Sequence, residues 1–142
     1  QYLALGHKAW TGPRTRDVQS VIGRDPTNRL RMAVVDPDRN MGKPARTTVD
    51  LLDGNSNACL VRCTLHTGRT HQIRVHMASM GHPLVGDQTY GGAPGVVLHR
   101  QALHAYHLAL AHPVTGVALD FVSRMPSDID AELKSRALRY NF

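Results

Sequence analysis

The stretch "LHTGRTHQIRVHMASMGHPLVGD", Leu65 to Asp87, is where the chain changes its hydrophobic period. Ile73, Met77 and Met80 fall at i, i+4 and i+7, one face of a helix. Thr70 is placed to cap the start of that helix. Gly81 is placed to end it, and Pro83 stops any continuation. The same stretch holds four of the chain's nine histidines and two arginines. Three readings are open at this point: a metal site, an anion-binding surface, or a helix with an ordinary polar side.

The flanks have a different rhythm. Tyr2 to Leu5 is a short apolar strand, and residues 6–17 are turn-rich and basic. "NRLRMAVV" from Asn28 alternates, with Leu30, Met32 and Val34 on one side and Arg29, Arg31 and Ala33 on the other. That pattern predicts a half-buried strand with a basic outer face. "DPDRNMGKPA" from Asp36 reads as a loop punctuated by Pro37, Gly42 and Pro44. "RTTVDLL" and "ACLVRCTL" read as strands joined through Asp53-Gly54. "ALHAYHLAL" and "VALDFVS" read as a second hairpin around "HPVTG". Ser127 is placed to cap a last helix, with Asp128 and Asp130 in its first turn and Lys134, Arg136 and Arg139 towards its end. About five or six strands in hairpins and two helices make an α+β fold with a largely antiparallel sheet.

The 142 residues fit one domain. Lys plus Arg number 17 against 11 acids, giving a net charge of +6 and a pI near 9.9. That surplus suits an anionic partner such as nucleic acid, and equally a solvated basic surface. No apolar run is long enough to span a bilayer, and the N-terminus has no signal-peptide pattern. Cys59 and Cys63 lie four residues apart on one strand, roughly 13 Å, where a disulfide needs about 7 Å or less. They read as reduced core residues of a cytoplasmic protein. The chain starts at Gln1 and runs straight into "YLAL", so it is expected to begin inside a longer polypeptide.

Zinc chemistry finds little support. His71 and His76 are five apart, about 140° round a helix, and no C-x-x-C occurs. No G-x-S-x-G and no phosphate-binding G-x-x-x-x-G-K-[ST] loop is present either. The anion surface fares better. Arg69 and Thr70 precede a helix start, where free N–H groups favour phosphate. His71 and Arg74 share a face apart from the Ile73 stripe, with Gln72 near them. An Arg held beside a buried stripe demands a carboxylate or phosphate partner. A solvated polar side accounts for the same spacing. Tyr2 is a plain strand aromatic, or one that stacks on an unpaired base.

"TGRTHQIRVHMASMGHPLVGDQTYGG" closely resembles the hallmark motif of the RluA-type pseudouridine synthases, which isomerise uridine in ribosomal RNA and in some cases tRNA. "QYLAL", "MGKPART" and "RQALHAYHLALAHPVTG" resemble further family segments in the expected order, so the likeness runs from about Gln1 to Pro126. Among family members, the chain resembles the large-subunit rRNA enzymes of the RluD and RluC kind. The resemblance implies a mixed, mainly antiparallel sheet with flanking helices and a cleft across it. It implies base flipping, an aspartate acting at C1′ or C2′ of the ribose, and release and rejoining of the uracil through C5. It implies no cofactor and no metal, RNA as partner, no membrane, and a monomer.

Carried over by position, Tyr2 stacks on the flipped base, and Arg74 pairs with the catalytic aspartate. Arg69, His71 and Gln72 support the cleft or contact RNA backbone; Arg29, Arg31 and Lys43 are candidate phosphate contacts. Two departures stand out. The family's His-Arg-Leu-Asp motif, which precedes the tyrosine motif, has no match here, and Arg24-Asp25 is not it. Residues 1–142 are therefore expected to be the C-terminal portion of a single catalytic domain, inactive alone. The alternative is a catalytically dead RNA-binding relative. Gly6 replaces a usual apolar residue, which is expected to shorten or redirect the first strand and alter the pose of Tyr2.

Overall fold

The computed structural model describes residues 1–140. In chain order it comprises β1 (Tyr2–His7), β2 (Thr15–Arg24), β3 (Met32–Val34), β4 (Gly42–Gly54), β5 (Ala58–Leu65), α1 (Gln72–Ser79), a 3-10 turn (Gln88–Tyr90), β6 (Leu103–Ala105), β7 (His107–Ala111), β8 (Ala118–Val122) and α2 (Ser127–Ser135). Six strands form one sheet in the order β3-β2-β4-β5-β1-β6, and β7 and β8 form a separate hairpin. Every ladder among the described residues is antiparallel. The α+β expectation holds.

β5 is the spine of the sheet. Cys59, Val61 and Cys63 point to one face, where they meet Ala4, Val49, Ile73, Met77 and Leu84. Ala58 and Leu60 point to the other, where they meet Leu5, Val85, Leu98, Ile129, Leu133 and Leu138. This is the period-two alternation of a strand buried on both sides. α1 packs on the first face and α2 on the second. Both cysteines are free and buried. Burial pushes the Cys59 thiol up to about 11 and the Cys63 thiol up to about 12.

Several expectations need correction. Thr15, inside the region read as turns, begins a ten-residue strand. Its inward positions carry Arg16, Val18 and Ser20, so polar residues mask the period. They are inward because Arg16 sits over the Trp10 ring and Ser20 bonds His76. The strand expected from Asn28 is only Met32–Val34. Leu30 is 91% exposed, and Arg31 turns back onto Asp25 rather than lining an outer strand face. β4 starts within the expected loop: Gly42 and Pro44 pair with Gly23 and Val21. There β4 has only β2 as a neighbour, since pairing with β5 begins at Thr47, so Pro44 can be tolerated. The expected strand around Tyr106 splits into β6 and β7, which belong to different sheets. β1 is not shortened at Gly6 but runs through to His7. A Cβ at Gly6 would stand 3.0 Å from the Met77 methyl and 3.1 Å from the His82 carbonyl, so the glycine lets α1 and its exit loop close on the strand.

The helix caps also differ in detail. α1 begins after His71, in left-handed conformation at φ 55°, with no side-chain cap from Thr70. Its end follows expectation: Gly81 has φ 85°, the Gly81 amide donates to the Ala78 carbonyl, and the His82 amide donates to the Met77 carbonyl. That pair of bonds is a Schellman motif. α2 is preceded by Pro126, with Ser127 as its first residue rather than its cap, and Arg139 lies beyond its end.

α2 is fastened by a buried carboxylate. Glu132 is fully buried and accepts hydrogen bonds from the amides of Val96, Val97 and Leu98 and from Arg136 Nε at 2.8 Å. Burial alone pushes its pKa up, but the Leu98, Val97 and Val96 amides and Arg136 outweigh it and hold the carboxyl at about 2, below its ordinary 4.5. A carboxyl lowered on folding stabilises the fold above its unfolded pKa and loses that contribution as pH falls towards the folded one. Glu132→Gln is therefore expected to destabilise the chain by about 3 kcal/mol at pH 7. In denaturant titrations, its gap from wild type should shrink as pH falls from about 4.5 to about 2. A gap that stays constant over that range would contradict the assignment.

Candidate active site

A cleft of about 360 Å³ opens where α1 meets β1, β5 and β6. Tyr2, Leu65, Arg69, His71, Gln72, Ile73, Arg74, Gln101 and Leu103 line it. Tyr2 reaches it because β1 lies between β5 and β6, with Tyr2 opposite Cys63 and Ala105. The structure thus brings together five of the residues singled out from sequence: Tyr2, Arg69, His71, Gln72 and Arg74. Lys43 and Arg31 line neighbouring hollows, and Arg29 is exposed on the loop before β3.

Arg74 has the carboxylate partner its position demanded, supplied by this chain. Its Nε donates to Asp87 Oδ2 at 2.8 Å and its Nη2 to Asp87 Oδ1 at 2.9 Å. The Asp87 side chain is 1% exposed and that of Arg74 13%. The paired hydrogen bonds to Asp87 raise the arginine's pKa further. Tyr90 completes the setting: the Arg74 guanidinium lies 5.0 Å from its ring centre. The Tyr90 hydroxyl meets His71 Nδ1 at 2.8 Å and accepts the Met32 amide at 3.0 Å. Burial, and then the Arg74 charge, lower the His71 pKa. Nη1 of Arg74 has no hydrogen-bond partner among the described residues, so one edge of the guanidinium stays free to take another acceptor.

Gln72 is buried, and its amide is fully used inside the protein. Nε2 donates to the Arg46 carbonyl and Thr47 Oγ1, both at 2.9 Å; Oε1 accepts from Thr67 Oγ1 at 2.7 Å and the Arg69 amide at 3.0 Å. Of the two roles expected for it, this geometry fits support of the cleft rather than contact with RNA. One turn on, His76 is buried, its Nδ1 2.8 Å from Thr47 Oγ1 and its Nε2 2.7 Å from Ser20 Oγ. Burial lowers its pKa. Arg69 is held by its Nε, which donates to the Pro44 carbonyl at 2.7 Å. Arg31 is committed to Asp25 at 2.8 Å and to the Thr89 carbonyl at 3.1 Å, so its phosphate role is less free than the sequence suggested. Among the described residues, no three histidine, cysteine or acidic side chains converge as metal ligands would.

Asp87 and Tyr90 were not singled out as site residues from the sequence, although both lie within the family-like stretch from Thr67 to Gly92. They lie beyond the helix stop, 13 and 16 residues from Arg74, where no periodicity links them. The available signal was the unpaired arginine's need for a carboxylate. Asp87→Asn should leave Arg74 half-paired and lower stability by about 3 kcal/mol, read from urea unfolding at neutral pH. Asp87→Asn stability within 1 kcal/mol of wild type would show that the pair is not the anchor described.

Comparisons with known proteins bear on the family and the fold. A family model described as RNA pseudouridylate synthase matches residues 2–79, more than half of the chain. A relative from Chloroflexus aurantiacus, named an uncharacterized RNA pseudouridine synthase, is 47% identical over 135 residues, which cover 94% of this chain and 40% of the relative. Ribosomal large subunit pseudouridine synthase D of Nitrosomonas europaea is 48% identical over 126 residues, covering 83% of this chain and 36% of that protein. The solved human RNA pseudouridylate synthase domain containing 1 superposes with a TM-score of 0.72 at 30% identity, covering 88% of this chain and 54% of that one. The chain thus spans about two-fifths of the length of these curated relatives. On the strength of the match over residues 2–79, the chain belongs to the RNA pseudouridylate synthase family.

Proposed function

We propose that the polypeptide carrying this chain isomerises uridine to pseudouridine in RNA, with ribosomal RNA of the large subunit as substrate. The observation that carries the reading is Arg74, paired along one edge with Asp87 and set over the Tyr90 ring, with Nη1 unpartnered among the described residues at a cleft that Tyr2 also lines. The name of the Nitrosomonas europaea relative supports the ribosomal substrate; tRNA is the lesser alternative. The two free thiols fit a cytoplasmic setting, and no oligomeric partner is invoked.

In this reading the flipped uridine stacks on Tyr2. The free edge of Arg74 orients the aspartate that acts at the ribose. Among the described residues no carboxylate lines the cleft. Asp87 is not a candidate, because it is buried and both its oxygens are bound to Arg74. The reacting carboxylate comes from outside residues 1–142, and this portion of the domain is inactive alone. Arg69, His71, Lys43 and Arg29 contribute donors along the RNA backbone.

The test is tritium release from rRNA labelled at uridine C5, where the proton is lost as C5 becomes the glycosidic carbon. The full polypeptide should release tritium, and the 142-residue chain should not. Arg74→Met in the full polypeptide should cut turnover by about a hundredfold or more. Arg74→Lys, which keeps the charge but not the paired geometry, should also be impaired. RNA binding without release by the full polypeptide would favour a catalytically dead relative. Normal turnover by Arg74→Met would remove the role given to Arg74.

A further inference from the structure

Beside the cleft lies a second hollow of about 380 Å³, and Arg69 lines both. We infer that this second groove holds the nucleobase next to the target uridine, with Arg69 gripping the phosphate that joins the two nucleotides. The inference rests on the reading of the cleft as the uridine site and adds a neighbouring subsite to it.

The groove has the makings of a base slot. Ile22, Met32 and Met41 give it apolar walls, and Lys43, Thr70 and Arg69 give it a polar rim. Two facing glycines, Gly23 of β2 and Gly42 of β4, are paired in register on its lining. Neither position tolerates a side chain: a Cβ on Gly23 would run into the Met41 carbonyl, and one on Gly42 would stand 2.8 Å from Val21. Both glycines are thus required by the close packing of the protein's own strands, and what they contribute to the groove lining is backbone. Met41 stands 95% exposed at the rim, so burial in the core does not explain its apolar side chain. A thioether is a good partner for an aromatic face.

Charge and pinning supply the rest. Arg69 Nε is tied to the Pro44 carbonyl, which fixes the guanidinium between the two hollows. Its terminal nitrogens have no hydrogen-bond partner among the described residues, and neither do the Lys43 ammonium and the Thr70 hydroxyl. Two consecutive nucleotides share one phosphate, and a single arginine placed between two base-sized hollows matches that connectivity. Arg24 and Arg29 add positive charge to the same end of the sheet. The acids of the adjoining loop are Asp36 and Asp38, and Asp36 is paired with Arg39.

The test uses the full polypeptide carrying this chain and pentauridylate. Binding is followed by fluorescence anisotropy, and contacts are mapped by photocrosslinking of pentauridylate carrying one 4-thiouridine. Crosslinks should appear both at the cleft, near Tyr2, and in the segment 40–43. Met41→Ala lies at an exposed position and should leave the fold intact. It should weaken pentauridylate binding about fivefold or more, as loss of one stacked base does, while leaving binding of uridine monophosphate unchanged. Lys43→Ala should weaken pentauridylate similarly. If cleft crosslinks persist but none falls in 40–43, or if only Lys43→Ala weakens binding, the groove is no base site, and the uridine reading stands. If the wild-type full polypeptide does not bind pentauridylate at all, the reading and the inference fall together.

Discussion

An amide and an imidazole on successive turns of α1 are buried beneath the sheet, and both must be satisfied there. Gln72 and His76 achieve this through Thr47, whose hydroxyl meets both side chains. An unpaired buried polar group costs about 1–3 kcal/mol, so the helix is held to a narrow set of rotations over β4. Only near that rotation do Ile73 and Met77 face the core while Arg74 faces the cleft. The same Gln72 amide holds the Arg69 backbone, so one side chain sets the positions of both arginines. The polar network, more than the modest apolar stripe, makes the placement of the site unique.

A second fastening works at longer range. Asp87 lies on the loop after the helix, and its carboxylate draws that loop back onto Arg74. Further along, Glu132 gathers three successive amides of the same connection from the opposite face of the sheet. The long irregular segment between α1 and β6 is thus held at both ends by buried acids. Such segments are usually mobile unless their backbone groups are paired. Here the pairing places Gln101 and Leu103 on the cleft wall.

Much of the fold was legible in the residues, and the exceptions share a cause. The hairpin of β4 and β5, the Ile73–Met77–Met80 stripe and the Gly81 terminus follow from periodicity and turn chemistry. β2 was hidden because its inward positions carry Arg16 and Ser20, which are inward for tertiary reasons that no local pattern reveals. The short β3 misled in the opposite sense: the alternation in "NRLRMAVV" is real, but Arg31 is drawn off by Asp25. At the site, residue types inside the 65–87 stretch were readable, and the need of Arg74 for a carboxylate was too. Which carboxylate meets it is a property of the folded loop. Thr70 lost its expected capping role because the chain enters α1 through a left-handed His71, a strained conformation for a non-glycine residue, held by the bond to Tyr90.

The two thiols of β5 follow from their burial in a way that extends beyond packing. Only a thiolate reacts readily with an alkylating reagent, and both groups are held neutral and covered in the native sheet. Their modification thus requires the central strand to be uncovered. Cys59 and Cys63 are built-in clocks for opening of the domain: the rate at which they are labelled counts how often the innermost strand meets solvent.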